Sequence, residues 1–343
     1  MTKWLDNDTL HQDVVVSSRT RIARNLTNYT FPLYMSVGES DKLTDDILNS
    51  MKENYMSWNF KFVRIRDLTP RERLSYIEEH LISPDLVQKI DKSSFLLRDD
   101  EKVTIMINEE DHLRIQTLLP GLNLTDCWEL CSNIDDCLES ELEFAFREDL
   151  GYLTACPTNV GTGLRASVML HLPCLTMAGN INSLVEALRK VGLTIRGIYG
   201  EGSEAIGNLY QISNQTTLGE TEEEIIDKLN KIITQVVTRE RNTRKYLLEN
   251  KGLELEDRLF RSYGILSNCR LINSKEAMNH LSNVKLAYDA HLLNDEKFDK
   301  IIELMIKIRP ATIQKDCNKD MDQEERDKIR ANIIRDYFLD MEG

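Results

Sequence analysis

The sequence predicts an α+β chain that mixes strands and helices over residues 1–249 and is mostly helical over 250–343. Three observations predict it. Short apolar runs (Val14-Val15-Val16, Val103 to Ile107, Leu193 to Ile198, Leu209 to Ser213) alternate with helical stretches through the first part. A capping box at Thr221-Glu222-Glu223-Glu224 opens a long helix that runs to about Glu249. After the break at Asn250-Lys251-Gly252 the chain is dense in Leu, Ile, Asp and Lys, and the domain boundary is placed there.

Taken in order, Val14 to Val16 reads as a short strand running into Ser17-Ser18-Arg19-Thr20-Arg21. Residues 68–90 read as helical, with Pro70 near the start and Pro84 interrupting. The strand Val103 to Ile107 ends in Asn108-Glu109-Glu110-Asp111. Over 124–142, Leu124, Cys127, Trp128, Cys131, Ile134 and Leu138 recur at helical spacing. Residues 143–155 read as a strand or hairpin leading into a loop at Cys156. Asn182 or Ser183 is the expected cap of a helix that stops at Gly192. The strands Leu193 to Ile198 and Leu209 to Ser213 flank the turn Gly200-Glu201-Gly202, and a charged helix follows from Asp322 onward.

Composition bounds the function. The 343 residues are 41% hydrophobic, enough for a sizeable core. Against 43 basic residues stand 57 acidic ones, a net charge of -14, which argues against a general binder of nucleic acid or of anionic membrane. Any anion site is then a local arginine cluster working against the global field. No apolar run approaches the roughly 20 residues that span a bilayer, and Met1 to Asp6 carries no apolar signal segment. The expectation is a soluble, cytoplasmic protein. Cys127, Cys131 and Cys137 share one expected helix with no histidine close enough in sequence to suggest zinc, so they read as small core residues of a reducing compartment.

The chemistry concentrates in three runs. The first is Cys156-Pro157-Thr158-Asn159-Val160-Gly161-Thr162-Gly163-Leu164-Arg165; the others are Asn108 to Arg114 and Arg196-Gly197-Ile198-Tyr199-Gly200-Glu201. Arg19 and Arg21 alternate, so on an extended strand they share a face. With Arg114, Arg165 and Arg196 they would bind a triphosphate through charge-assisted bonds; singly, each reads as a solvated surface residue. Magnesium would be held mainly by phosphate oxygens and water. A guanidinium is a delocalised, protonated nucleophile, and two carboxylates can grip it and accept its proton. Glu110 and Glu201 are the candidates, with Glu109 a neighbour easily confused with Glu110. Cys156 reads as inert packing or as a thiolate beside the guanidinium site, with Thr158 able to donate to its sulfur. Gly161-Thr162-Gly163 is neither a Walker loop nor a dinucleotide fingerprint.

Those residues carry a resemblance. Cys156 to Thr162 resembles the signature loop of the phosphagen (guanidino) kinases, Asn108 to Arg114 their carboxylate motif, and Ser17-Ser18-Arg19-Thr20-Arg21 their first phosphate-binding element. Two features depart from that pattern: the Ser-x-Arg-x-Arg element begins at residue 17, without the family's helical domain before it, and Met169 stands where a histidine usually lies near the adenine. Both departures match the bacterial protein-arginine kinases of the McsB type. Arg165-Ala166-Ser167-Val168-Met169, Arg196 to Ala205 and His80-Leu81-Ile82-Ser83-Pro84 also look like that family.

The resemblance implies an antiparallel sheet flanked by helices, then a helical C-terminal domain. It implies an ATP site formed by Ser17, Ser18, Arg19, Thr20, Arg21, His80, Arg114, Arg165, Ala166, Ser167, Val168, Met169, Arg196, Gly197, Ile198, Tyr199, Gly200 and Glu201, with Glu110 and Glu201 positioning the acceptor arginine. Arg326-Asp327-Lys328-Ile329-Arg330-Ala331 resembles the family's phosphoarginine-recognition element, in which Arg326 and Arg330, at i and i+4, would clamp one phosphoryl group and Asp327 would take the guanidinium. Without the resemblance that stretch reads as a salt-bridged surface helix. The leading expectation is therefore an ATP-dependent protein-arginine kinase, with a kinase of free arginine or another small guanidine, or a non-enzymatic phosphoarginine-binding adaptor, as alternatives. The implied partners are arginine-exposing proteins, a zinc-binding activating adaptor, a Clp-type AAA+ protease and further copies of the chain.

Overall fold

A computed structural model describes residues 3–5, 9–55, 59–198 and 205–339. In chain order the elements are β1 (Val15–Arg24), α1 (Val37–Tyr55), β2 (Phe60–Arg64), α2 (Pro70–Glu78), β3 (Ser94–Arg98), β4 (Val103–Ile107), β5 (Leu113–Pro120), α3 (Leu124–Glu139), β6 (Phe146–Arg147), β7 (Gly151–Tyr152), β8 (Leu164–His171), α4 (Pro173–Met177), α5 (Ile181–Lys190), β9 (Leu193–Gly197), β10 (Leu209–Asn214), α6 (Glu222–Asn268), α7 (Ser274–Asp289), α8 (Ile301–Lys307), α9 (Pro310–Asp316) and α10 (Gln323–Leu339). Eight strands form one antiparallel sheet in the order β2-β3-β4-β5-β1-β8-β10-β9, with β6 and β7 a separate hairpin.

Strand alternation divides the sheet's residues between two faces. On one face Ile22, Ile115, Leu164, Ala166, Val168 and Ile212 are buried with Cys131 and Ile134 of α3, Leu184 of α5 and Ile226 and Ile233 of α6. The other face is covered at its two ends. Over β3 to β5, Phe95, Met106 and Leu118 pack with Leu81, Leu86 and Trp4. Over β8 and β10, Met169 and Leu209 pack with Met278, Leu281, Phe298 and Met305 of the C-terminal helices. The C-terminal part also grips α2: the Glu78 carboxylate accepts from the backbone N–H groups of Ala311 (2.9 Å) and Thr312 (2.8 Å) at the start of α9, an acidic group at a helix N-terminus.

Several local expectations change. The helix expected over 68–90 is α2 and, beyond Pro84, one 3-10 turn at Leu86–Gln88; α2 opens on the Thr69/Glu72 capping box and ends before His80, which takes φ +64 and turns the chain back over the sheet. The cap of α5 is Asn180 rather than Asn182 or Ser183, and the Ser183 hydroxyl donates instead to the Asn180 carbonyl. The long helix does not stop at Asn250-Lys251-Gly252. It kinks there, with Lys251 at φ -137 and ψ 29, and continues to Asn268 because Leu255, Leu259 and Leu266 are buried further on. Helix burial outweighs the roughly 1 kcal/mol helix cost of one glycine.

Candidate active site

The register of the sheet brings the arginines together. Across β1 and β5, Arg21 faces Gln116, Arg19 faces Leu118 and Ala23 faces Arg114. Across β1 and β8, Arg21 faces Arg165, Arg19 faces Ser167 and Ser17 faces Met169. Met169 faces Gln211 of β10, which in turn faces Arg196 of β9. Directly opposed residues of antiparallel strands share a face, so Arg19, Arg21, Arg114, Arg165 and Arg196 all lie on the side of the sheet left between its two covers. Four strands contribute these five guanidinium groups, β1 two of them and β5, β8 and β9 one each, with Gln211 of β10 between Met169 and Arg196. Ser17, Ser167 and Met169 lie on the same face.

The electrostatics follow. Burial, reinforced by the charges of Arg19, Arg114 and Arg165, pushes Arg21 well below the usual arginine range, with Glu109 as the opposing charge. Its buried Nε has no hydrogen-bond partner among the described residues. A buried, unpaired guanidinium N–H among like charges is a position awaiting an anion. Arg165 is braced from behind: its Nε donates to Asn159 Oδ1 (3.1 Å), Nη1 to the Asn214 carbonyl (3.1 Å) and Nη2 to Thr158 Oγ1 (3.1 Å). Arg19 Nη2 donates to Gln211 Oε1 (2.8 Å). His80 sits near Arg19 and Arg309, and its carbonyl accepts from Gln116 Nε2 (3.0 Å). Burial, then those two charges, lower the imidazole to about 3, so it is neutral.

The carboxylates separate cleanly. Glu109 is buried and spent: it pairs with Arg114 and accepts from the Ser83 hydroxyl, while the Lys89 ammonium holds its carbonyl. Burial pushes its carboxyl up, but the Arg114 charge and the hydrogen bonds outweigh that and hold it below the usual range. Glu110 is exposed. Burial of part of its surface, then Asp111 and Glu109, raise its carboxyl above the usual range, against the pull of Arg114. A raised, accessible carboxylate next to an arginine cluster is placed to grip a guanidinium and take its proton.

The loop holding Glu110 is joined to the loop holding Cys156. The buried Asp111 carboxylate accepts from the Asn25 amide (2.6 Å) and from the backbone N–H of Ala155 (2.6 Å). Asn25 Oδ1 accepts from the His112 N–H (2.9 Å). Cys156 Sγ lies 3.1 Å from Thr158 Oγ1. The far end of the Cys156 loop is held by close backbone approach: Gly161 takes φ +109, and a Cβ there would meet the Thr217 carbonyl oxygen at 2.2 Å.

The expectations for individual residues fare unequally. The side chains of Ser18, Thr20, Ala166 and Val168 alternate onto the helix-covered face and are fully buried. The Ser18 hydroxyl donates to the Gly121 carbonyl and accepts from the Asn123 N–H, and Thr20 Oγ1 bonds Thr117 Oγ1 and the Cys127 carbonyl, so these side chains position strands. Gly197 ends β9, and Ile198 leaves it to pack against the C-terminal core. Tyr199, Gly200 and Glu201 lie outside the described residues. Asn25, Ser83, Lys89, Asn159, Gln211 and Asn214 escaped the sequence reading. Ser83 and Asn159 sat inside runs already singled out, whereas nothing local marks Asn25 or Asn214.

In the C-terminal part the two arginines of the expected clamp sit in different surroundings. Arg330 is 1% exposed, and its Nε and Nη1 donate to the carbonyls of Ile308 (2.9 Å) and Ile272 (3.0 Å) and to Asp327. Ala331 is a core residue beside Ile334 and Phe338. Only Arg326 of the pair stays partly exposed, with Nη1 on the Met321 carbonyl (2.6 Å).

Among the described residues no three His, Cys, Asp or Glu side chains cluster as a metal site, and no helix is long and apolar enough to cross a membrane.

Comparison with known proteins follows the same lines. Residues 41–243 match the family described as ATP:guanido phosphotransferase, C-terminal catalytic domain, and residues 252–343 match the protein-arginine kinase McsB C-terminal domain. The chain is 46% identical over 336 residues to a protein-arginine kinase of Halalkalibacterium halodurans, covering 98% of this chain and 94% of that one. It is 47% identical over 335 residues to that of Halothermothrix orenii, covering 98% and 96%. Among solved structures it superposes on a lombricine kinase with a TM-score of 0.59 at 24% identity, covering 70% of each chain. On a duplicated taurocyamine kinase from Schistosoma mansoni with bound transition-state-analogue components the TM-score is 0.61 at 21% identity, covering 85% of this chain and 49% of that one. These structural likenesses show the fold. With models of both parts matched and relatives near half identical along almost its whole length, the chain belongs to the protein-arginine kinase family of ATP:guanido phosphotransferases.

Proposed function

We propose that this chain is an ATP-dependent protein-arginine kinase, moving the γ-phosphoryl group of ATP to arginine side chains of other proteins. The observation that carries the reading is the single sheet face bearing Arg19, Arg21, Arg114, Arg165 and Arg196 with Glu110 at its margin. The arginines hold the polyphosphate and spread its charge as the bond between Pγ and the β–γ bridging oxygen breaks. An N–P bond forms to a guanidinium nitrogen, and the proton leaving that nitrogen passes to a carboxylate, Glu110 or Glu201 in this reading. Ser17, Ser167, Met169 and His80 border the nucleotide, and Arg196, Gly197, Ile198, Tyr199, Gly200 and Glu201 complete its contacts in this reading. Cys156, beside Thr158, adds polarity near the acceptor. The fit to magnesium is through the nucleotide: the site is cationic, so the ion would be carried by phosphate oxygens and water and would neutralise charge on the leaving group.

The same reading divides the chain into a catalytic domain over 1–249 and a C-terminal domain over 250–343 that recognises phosphoarginine. There Arg326 would meet the phosphoryl group and Asp327 the guanidinium, with Arg330 fixing Asp327 from within. It places the protein in the cytoplasm as a self-associating enzyme whose clients pass to a Clp-type protease and whose activity answers to a zinc-binding adaptor.

The test is to incubate the purified chain with Mg-ATP and an unfolded arginine-rich protein, with free arginine in a parallel tube and the adaptor added to a second pair, and to map products by mass spectrometry without acid. Acid-labile phosphate on protein arginine is the expected result. Phosphate on free arginine alone would move the protein to the small-guanidine kinases.

A further inference from the structure

Between β1 and α1 the chain runs Phe31-Pro32-Leu33-Tyr34-Met35-Ser36-Val37. Four large apolar side chains there face solvent: Leu33 is 71% exposed, Tyr34 80%, Val37 41% and Phe31 36%. Together they present on the order of 400 Å² of apolar-residue surface, in the range of the largest patch on a typical monomer. The segment is held firmly. Met35 is buried in the main core, the N–H groups of Tyr34 (2.9 Å) and Met35 (3.1 Å) both return to the Phe31 carbonyl, and Lys92 Nζ donates to the Met35 carbonyl (2.5 Å). A loop built this tightly that still displays its apolar side chains needs a reason for displaying them.

Its position supplies one. The Phe31 ring stacks on the His112 imidazole at 6.0 Å between centroids, and His112 Nε2 bonds the Thr30 carbonyl at 2.9 Å. His112 is two residues from Glu110, and two residues span at most about 7 Å. The patch therefore begins within about five extended residues of the Glu110 backbone. On its other side Tyr29, whose ring packs edge-on to His112 at 6.2 Å, lines a cavity of about 480 Å³ that also carries Asp46, Glu141 and Glu143 against Lys42. Apolar surface, then acceptor carboxylate, with acidic groups alongside, suits one occupant: an extended, unfolded stretch of the acceptor protein. Its target arginine would sit at Glu110 and a large apolar residue a few positions away would sit on Phe31, Leu33 and Tyr34. A second copy of this chain suits it less, because a stable dimer takes roughly 800 Å² from each partner.

Resting on the protein-arginine kinase reading, we infer that the Phe31 to Val37 loop is a docking surface that selects acceptor arginines flanked by exposed apolar residues, which unfolded stretches present more often than folded surfaces do.

The experiment uses the full chain and two fluorescent twelve-residue peptides, each with one central arginine, flanked in one by Leu and Phe three to five positions away and in the other by Ser. Fluorescence anisotropy reads binding without any need for turnover. The wild type should bind the apolar peptide about tenfold more tightly, the ratio that partial burial of one large apolar side chain supports. The double variant Leu33→Ser with Tyr34→Ser, at two exposed positions that leave folding intact, should bind the two peptides equally. Its affinity for the serine peptide should match the wild type. Equal binding of both peptides by the wild type, or a preference that survives the double variant, overturns the proposal. So does a variant whose sedimentation shows a lost dimer with peptide preference unchanged, since the patch would then cover a second copy. Phosphoryl transfer is measured in parallel: a wild type that transfers phosphate to free arginine and to neither peptide refutes the kinase reading without touching the binding result.

Discussion

Glu109 and Glu110 are neighbours in sequence and opposites in environment. One is buried against Arg114 and Ser83, the other is exposed with its carboxyl raised. Glu110→Gln and Glu201→Ala should each lower phosphoryl transfer by about 10²- to 10⁴-fold, and for Glu110→Gln the thermal midpoint should stay put, measured by initial rates and by calorimetry. Glu109→Gln should instead cost roughly 2–4 kcal/mol in denaturant unfolding, because Arg114 loses its buried partner. The pH signs differ too. Glu110 must be unprotonated to accept a proton, so the rate should climb with pH through a value above the usual carboxylate range. Glu109 is lowered in the fold, so its contribution to stability is complete above the unfolded value near ~4.3 and drains away as pH falls through the lower folded value. The sequence presented the Glu-Glu pair but not this division, since which of two adjacent carboxylates turns inward depends on Arg114 and Ser83 arriving from elsewhere.

At the scale of elements, the site is two loops at the ends of central strands joined by one carboxylate. Asp111 holds Asn25, at the end of β1, and Ala155, at the start of the Cys156 loop. Asp111→Ala removes both acceptor bonds from a buried position and should lower stability by about 2–4 kcal/mol. It should also lower kcat/KM by roughly 10- to 100-fold, since a displacement of about 1 Å in a positioned group costs that much. Asp111→Asn keeps an acceptor oxygen and should recover most of the rate, the outcome that separates positioning from charge; if it fails as badly as alanine, the charge itself is needed. Element types were largely legible: α3 from its spacing, the start of α6 from Thr221 and Glu224, β9 and β10 from their apolar runs. The end of α6 was not, because Leu255, Leu259 and Leu266 are buried by helices far along the chain, and Gly252 signals a stop that packing overrides.

For the whole molecule, the C-terminal helices cover one end of the arginine-bearing face and hold α2 through Glu78, so the two parts share their mechanics. Arg330 belongs to that framework. Arg330→Ala should destabilise the C-terminal core by roughly 3–5 kcal/mol, stranding Asp327 and two buried carbonyls. Arg326→Ala should leave the melting temperature within about a degree and weaken binding of a phosphoarginine peptide, read by calorimetric titration. Equal loss of stability in both variants would return Arg326 to the framework. By itself the sequence determined the α+β character, the three runs that hold the chemistry and the alternation that puts Arg19 and Arg21 on one face, because periodicity and short motifs are local properties of a chain. Only the tertiary structure decided that Arg114, Arg165 and Arg196 join that face, that helices bury Ser18, Thr20, Ala166 and Val168 on the opposite one, and that Arg330 is spent inside. Those outcomes depend on strand register and on what each side chain meets across the fold, and both are settled by burial between segments far apart in the chain.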